Sequence, residues 1–101
     1  MLIHWQEQAE AEIGDLLAYI AQDNVTAAYR VYEAIRKQVS LLGEYPEISR
    51  IGRIKGTREL MVVTATPYIV AYRIKKDRID VLRVLQGSRK WNKRFPKYSL
   101  P

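Results

Sequence analysis

The residues best equipped for chemistry lie close together near the end of the chain: Arg89, Lys90, Trp91, Lys93, Arg94 and Phe95, with Lys97 just behind. Cations interleaved with aromatic rings suit stacking on nucleic acid or gripping an acidic protein segment, although Trp91 could equally cover one end of the core. Arg58, Arg73 and Arg83 add guanidiniums on the apolar runs upstream, and Arg58 with Glu59 could simply be the polar positions of a strand. Arg83, set between apolar neighbours, should snorkel to the surface or find a carboxylate. Arg50, Arg53 and Lys55 recur at near-alternate positions, as a basic loop that touches a partner or only solvates a turn. The chain has no cysteine, which removes thiolate chemistry and disulfides, and a single histidine, His4, with no second imidazole to share a metal. His4 therefore reads as structural, and neither a metal nor a cofactor is expected.

The wider composition agrees with a binding protein. Residues 1 to 50 hold four basic and eight acidic side chains, whereas residues 51 to 101 hold thirteen and three, so the halves carry −4 and +10 and sum to +6. Such asymmetry points to an anionic partner for the second half, set against a merely solvated basic surface. A chain of 101 residues, 48% hydrophobic, suits one domain spanning 1–101 that buries roughly 60–65% of its unfolded surface. No apolar run is long enough to span a membrane, and the first residues lack the basic and apolar regions of a leader, so a cytoplasmic protein is expected.

Positioning these groups requires helices first and strands after. Leu2 to Trp5 is a short apolar run suited to a first strand. From Glu7 to Ala21, residues Ala9, Ile13, Leu16, Leu17 and Ile20 recur at helical spacing, with acids toward the N-terminal end where the helix dipole favours them; Gly14 inside should serve close packing. Asn24 is a good cap for a second helix running to about Leu42, with Gly43 as its stop and Tyr29 and Tyr32 packing on the core. So short a link makes the two helices an antiparallel hairpin. Three runs follow, Arg58 to Val63, Tyr68 to Lys75 and Ile79 to Gln86, with gaps that permit hairpins and no crossovers. The expected fold is α+β: a strand, a helix hairpin, and a small antiparallel sheet beneath it.

A two-residue loop at Lys76-Asp77 places Ile74 opposite Ile79, Arg73 opposite Asp80, Tyr72 opposite Val81 and Val70 opposite Arg83. Tyr68, Val70, Tyr72, Ile74, Ile79, Val81 and Leu85 then face the helices. Ile69, Ala71, Leu82 and Val84 make the other face apolar too, and a sheet apolar on both sides needs a second cover. That second face is the expected docking surface for a partner chain.

In this order and spacing the chain resembles the RelE/ParE superfamily of toxins from bacterial toxin–antitoxin modules, along nearly its whole length. The resemblance rests on Ala9, Ile13, Leu16, Tyr19 and Ile20 in the first helix, Ala27-Ala28 opening the second, G-T-R-E-L at Gly56 to Leu60, P-Y-I-V-A-Y-R-I at Pro67 to Ile74, and R-V-L-Q-G-S-R-K-W at Arg83 to Trp91. It favours the ParE-like branch. It implies a growth-arresting protein held harmless in a hetero-oligomer by an antitoxin, acidic in its binding segment. ParE-like members are associated with poisoning DNA gyrase, and RelE-like members with cleaving messenger RNA on the ribosome.

RNA cleavage by a 2′-hydroxyl needs a base, a phosphate cation and a proton source. By the resemblance, Arg89 matches the nuclease arginine on the last strand. A second nuclease arginine is Ile69 here, a C-terminal tyrosine is Phe95, and a common histidine is Gln86. A rearranged nuclease would use Arg89, with Tyr98 as the substitute phenol and Lys90, Lys93 or Arg94 as the source of charge. The expectation is therefore a non-enzymatic, ParE-like inhibitor that uses Arg58, Arg73, Arg83, Arg89, Lys90, Trp91, Lys93, Arg94 and Phe95 for target or antitoxin. The alternatives are a ribosome-dependent endoribonuclease and an inactive binding module.

Overall fold

The computed structural model describes residues 1–87. Strand β1 (Leu2–Trp5) leads into helices α1 (Glu7–Ala21) and α2 (Val25–Ser40), then a 3-10 turn at Leu41–Gly43, and strands β2 (Arg50–Ile51), β3 (Arg58–Val62), β4 (Tyr68–Ile74) and β5 (Arg78–Gln86). The five strands form one sheet in the order β1-β5-β4-β3-β2. The sheet is mixed where the sequence implies a small antiparallel one: β1 lies parallel beside β5, Leu2 opposite Arg78 through Trp5 opposite Val81. Two helices separate β1 from the other strands, and that length of chain is what a return in the same direction requires.

The helix ends follow their residues. Asn24 Oδ1 accepts from the Ala27 amide at 3.0 Å, capping α2 as expected. Gly43 plays a different part from a left-handed stop. It sits in the 3-10 turn, where an added Cβ would come within 2.9 Å of the Met1 carbonyl, and its own carbonyl accepts from the N-terminal ammonium at 2.8 Å. The stop thus doubles as the place where β1 passes the end of the hairpin. Gly14 is exposed with nothing near it, so it serves no close packing.

Both helices pack on one face of the sheet, α1 over β5 and α2 over β3. Ala9 and Ile13 from α1, and Ile35, Val39 and Leu42 from α2 and its turn, meet Leu60, Val62, Tyr68, Val70, Tyr72, Ile79, Val81 and Val84. Full burial of each large aliphatic side chain there contributes about 1.5–3 kcal/mol.

The β4–β5 register begins as expected, with Ile74 opposite Ile79, Arg73 opposite Asp80 and Tyr72 opposite Val81. It then slips. A bulge between Tyr72 and Ala71 puts Ala71 opposite Arg83 and Val70 opposite Val84, so the expected Val70–Arg83 pair does not form. Val84 joins the helix-side core and Leu85 pairs with Ile69, the reverse of their expected faces. Strict alternation would have driven a guanidinium under the helices; one extra residue in β5 substitutes a valine.

Candidate functional site

Three carboxylates, Glu59 and Asp80 buried and Glu12 half-buried, organise the polar groups of the described residues. Glu59 on β3 accepts from Arg50 Nη2 at 3.0 Å, from the Arg53 amide at 3.0 Å, and from Arg53 Nε and Nη2 at 2.9 Å each. These bonds fold the loop after β2 back on the sheet, where Gly56 turns with a positive φ of 80° before β3 begins. Burial alone would raise the pKa of Glu59, yet the hydrogen bonds from Arg53 and Arg50 outweigh it and hold the carboxyl below its ordinary range. Arg58, on the next position, donates to the Ser49 and Glu47 carbonyls at 2.9 and 3.2 Å, so it braces the same loop. Tyr72 Oη donates to the Pro46 carbonyl at 2.6 Å and meets Ser49 Oγ, tying the loop's first half to the core.

Arg83 finds the carboxylate that its apolar setting demands. β1 ends opposite Val81, and Glu12 of α1 takes the Arg83 guanidinium, Nε at 2.6 Å, together with the Val84 amide at 3.0 Å. One carboxylate therefore satisfies the bulge's cation and an amide of the strand.

The third cluster is invisible to local reading. Parallel pairing of β1 with β5 sets His4 beside Asp80, 76 residues away, with Nδ1 3.3 Å from Oδ1, and Arg78 Nε donates to the same oxygen at 2.8 Å. Desolvation pushes Asp80 upward, but Arg78 and His4 prevail and keep its carboxyl below the usual range; Asp80 in turn raises Arg78. His4 thus has a carboxylate neighbour that its own stretch of sequence does not supply. The cluster sits where β5 starts, eight residues or roughly 26 Å from the strand's other end at Gln86. Arg73 lies half-buried opposite Asp80.

Arg89, Lys90, Trp91, Lys93, Arg94, Phe95 and Tyr98 lie outside the described residues. The expected apolar docking face is corrected in two respects. Val84 belongs to the other side, and Ile69, Ala71 and Leu82 are buried, 2%, 0% and 4% exposed. Glu59 stands in the same row as Ala71, so this face carries a buried carboxylate with its partly exposed arginines in place of a continuous apolar sheet.

Open apolar surface appears elsewhere. Between α1 and α2 runs a groove of about 360 Å³ lined by Leu17, Ala18, Ala21, Val25, Ala28, Tyr29 and Tyr32. Tyr29 is 62% and Tyr32 37% exposed, so both wall this groove and neither packs in the core as expected. Beyond Tyr32, Arg36 stacks on Trp5, 4.0 Å from the ring centroid, lies 5.2 Å from the Tyr32 ring, and pairs with Glu10 at 2.7 Å. Off-stripe alanines at positions 18 and 21 were the available signal, since two helices that present small residues on their outer faces leave a trough. Among the described residues no helix is long and apolar enough to cross a membrane, and no group of three acidic, histidine or cysteine residues could hold a metal ion.

Comparison with known proteins gives a consistent picture. Residues 3–91 match the family described as ParE toxin of type II toxin-antitoxin system, parDE. The candidate toxin Y4kP of Sinorhizobium fredii (strain NBRC 101917 / NGR234) is 42% identical over 89 residues, covering 88% of this chain and 91% of that protein. Among solved structures, a chain of the chromosomal ParDE TA system from P. aeruginosa superposes with a TM-score of 0.73 at 22% identity, over 85% of this chain and 95% of that one. The conserved hypothetical protein HP0894 from Helicobacter pylori has the same fold at a TM-score of 0.56 and 18% identity, over 90% and 99% of the two chains.

Proposed function

We propose that this chain, which belongs to the ParE toxin family of type II toxin–antitoxin systems, arrests growth by binding a macromolecule, DNA gyrase first among the candidates, and is neutralised by an antitoxin in the cytoplasm. The observation that carries the binding reading is the groove of the helix hairpin. It is apolar, open, floored by alanines and walled by two exposed tyrosines, which suits an amphipathic helix laid along it. The antitoxin supplies that helix, in a hetero-oligomer with the toxin. Inhibition without turnover is supported by the fate of the described cations. Arg50, Arg53 and Arg78 bind buried carboxylates and Arg83 binds the half-buried Glu12, so these four brace the fold where a nuclease would aim them at a phosphate.

The test is induction of the chain without its partner, following DNA and protein synthesis separately. DNA synthesis should stop first, with gyrase trapped in cleavage complexes. Translation stopping first, with cut messenger, would replace the inhibitor by a ribosome-dependent endoribonuclease; undisturbed growth would leave a binding module.

A further inference from the structure

The end of the sheet at which β5 begins gathers cations from two separate stretches of chain. Pairing of Ile51 with Arg58, of Arg58 with Tyr72 and of Ile74 with Ile79 brings the loop of residues 52–57 and the turn of residues 75–78 to that same end. The loop supplies Arg53 and Lys55, and the turn supplies Lys75, Lys76 and Arg78. Buried carboxylates fix the two guanidiniums, Glu59 holding Arg53 and Asp80 holding Arg78. The three lysines are exposed, and their ammonium groups have no partner among the described residues. The one carboxylate within the two segments, Asp77, already lies 3.6 Å from Arg78. Neither segment exposes an apolar side chain, since Ile54 is half-buried. The loop and the turn stand two strand intervals apart, from β3 through β4 to β5, so the charge is spread over about 10 Å.

We infer that this end of the sheet is a contact surface for the phosphate backbone of a nucleic-acid duplex, held by charge and not by base identity. Five cations against one paired carboxylate suit a repeating anion, and duplex DNA presents one charge per roughly 1.7 Å of its axis, so several phosphates lie within reach at once. Arg53 and Arg78, tethered to the sheet by their carboxylates, set the position of the contact, and the lysines follow the backbone on long stems. Neither segment carries an aromatic ring on which an unpaired base could stack, which favours a duplex over a single strand. An acidic protein segment would bring apolar side chains among its charges, and these two turns offer them no cover. The surface lies roughly 26 Å along β5 from Gln86 and uses none of the cations that follow Gly87 in the sequence. It depends on charge and placement, whichever molecule the protein arrests.

The experiment titrates the full chain with a short fluorescent DNA duplex of mixed sequence over a range of salt concentrations. A duplex of unrelated sequence, an RNA duplex and polyglutamate are run beside it. The two DNA duplexes should bind alike, with log affinity falling linearly in log salt, and comparison of the DNA and RNA duplexes names the source of the phosphates. Lys55→Gln, Lys75→Gln and Lys76→Gln combined should lower the salt slope by about 2–3 and the affinity by about tenfold or more at low salt. Arg30→Gln, an exposed cation on α2, should change neither, and the melting temperature should hold in both variants because all four side chains are in water. An unchanged slope and affinity in the triple variant would move the binding to other cations and overturn the assignment. Equal loss in Arg30→Gln, displacement of the duplex by polyglutamate at matched charge, or no binding even at low salt would overturn it too. None of these readings depends on growth arrest.

Discussion

The helix hairpin and the outer sheet edge are two exposed apolar regions built on opposite electrostatics. From Glu7 to Gly43 the hairpin carries six carboxylates against three cations, whereas Arg50 to Val63 carries four cations against one carboxylate. On the hairpin the apolar surface is a trough between closed secondary structures whose backbone groups are already paired, so only side chains can recognise a partner. On the edge, from Leu60 onward, β3 has no outer neighbour among the described residues. The difference teaches that net charge alone describes neither surface.

The sharpest way to break this contrast is to fill the trough. Ala18→Arg, at an exposed position on its floor, should lower antitoxin affinity about a hundredfold, roughly 2.7 kcal/mol, while leaving stability near wild type. Titration calorimetry alongside a urea melt checks both halves of that statement, and unchanged affinity would move the antitoxin helix elsewhere.

The edge depends on its buried carboxylate. Glu59→Leu strands Arg50 and Arg53 beside an apolar group and should cost about 2–3 kcal/mol, less than for a fully buried pair because both guanidiniums are partly in water. Urea denaturation would measure the loss, and exchange at residues 50 to 57 should quicken more than in the hairpin. Glu12→Gln removes the charge partner of Arg83 and should cost about 1–2 kcal/mol, with the exchange change centred on β5.

Acid probes the same clusters. Glu59 and Asp80 have folded-state pKa values below their ordinary ones, so the unfolded chain binds their protons first as pH drops. Their contribution is complete above the unfolded values of about 4 and is lost as pH falls through the folded ones. The urea midpoint should therefore hold from neutrality to about pH 5 and decline below, and Glu59→Gln should make that decline shallower. The smallest effect belongs to the hairpin: Gly14→Ala, on an exposed helix position with open space around it, should stabilise by about 0.5–1 kcal/mol, visible as a higher melting temperature.

Much of the fold was legible because its signals are local. The periodicity of α1, the Asn24 cap and the apolar runs of β3 to β5 specify elements whose bonds lie within a few residues of one another. The candidate site was less legible. Tyr29 and Tyr32 look like core residues until two helices place them, and an alternation count cannot register the extra residue that sends Val84 inward and Arg83 to Glu12.

What the residue order determined alone is the strand, helix-pair and strand sequence, the family it signals, and the β4–β5 pairing next to its turn, since all of these depend on short-range spacing. Only the tertiary structure decided that β1 lies beside β5, that Glu12, Glu59 and Asp80 are the carboxylates which hold Arg83, Arg50, Arg53 and Arg78, and that among the described residues apolar surface is left open in the hairpin trough. The reason is that burial and charge pairing are settled between segments up to 76 residues apart, where a desolvated ion must be matched by whatever the packed chain brings within reach.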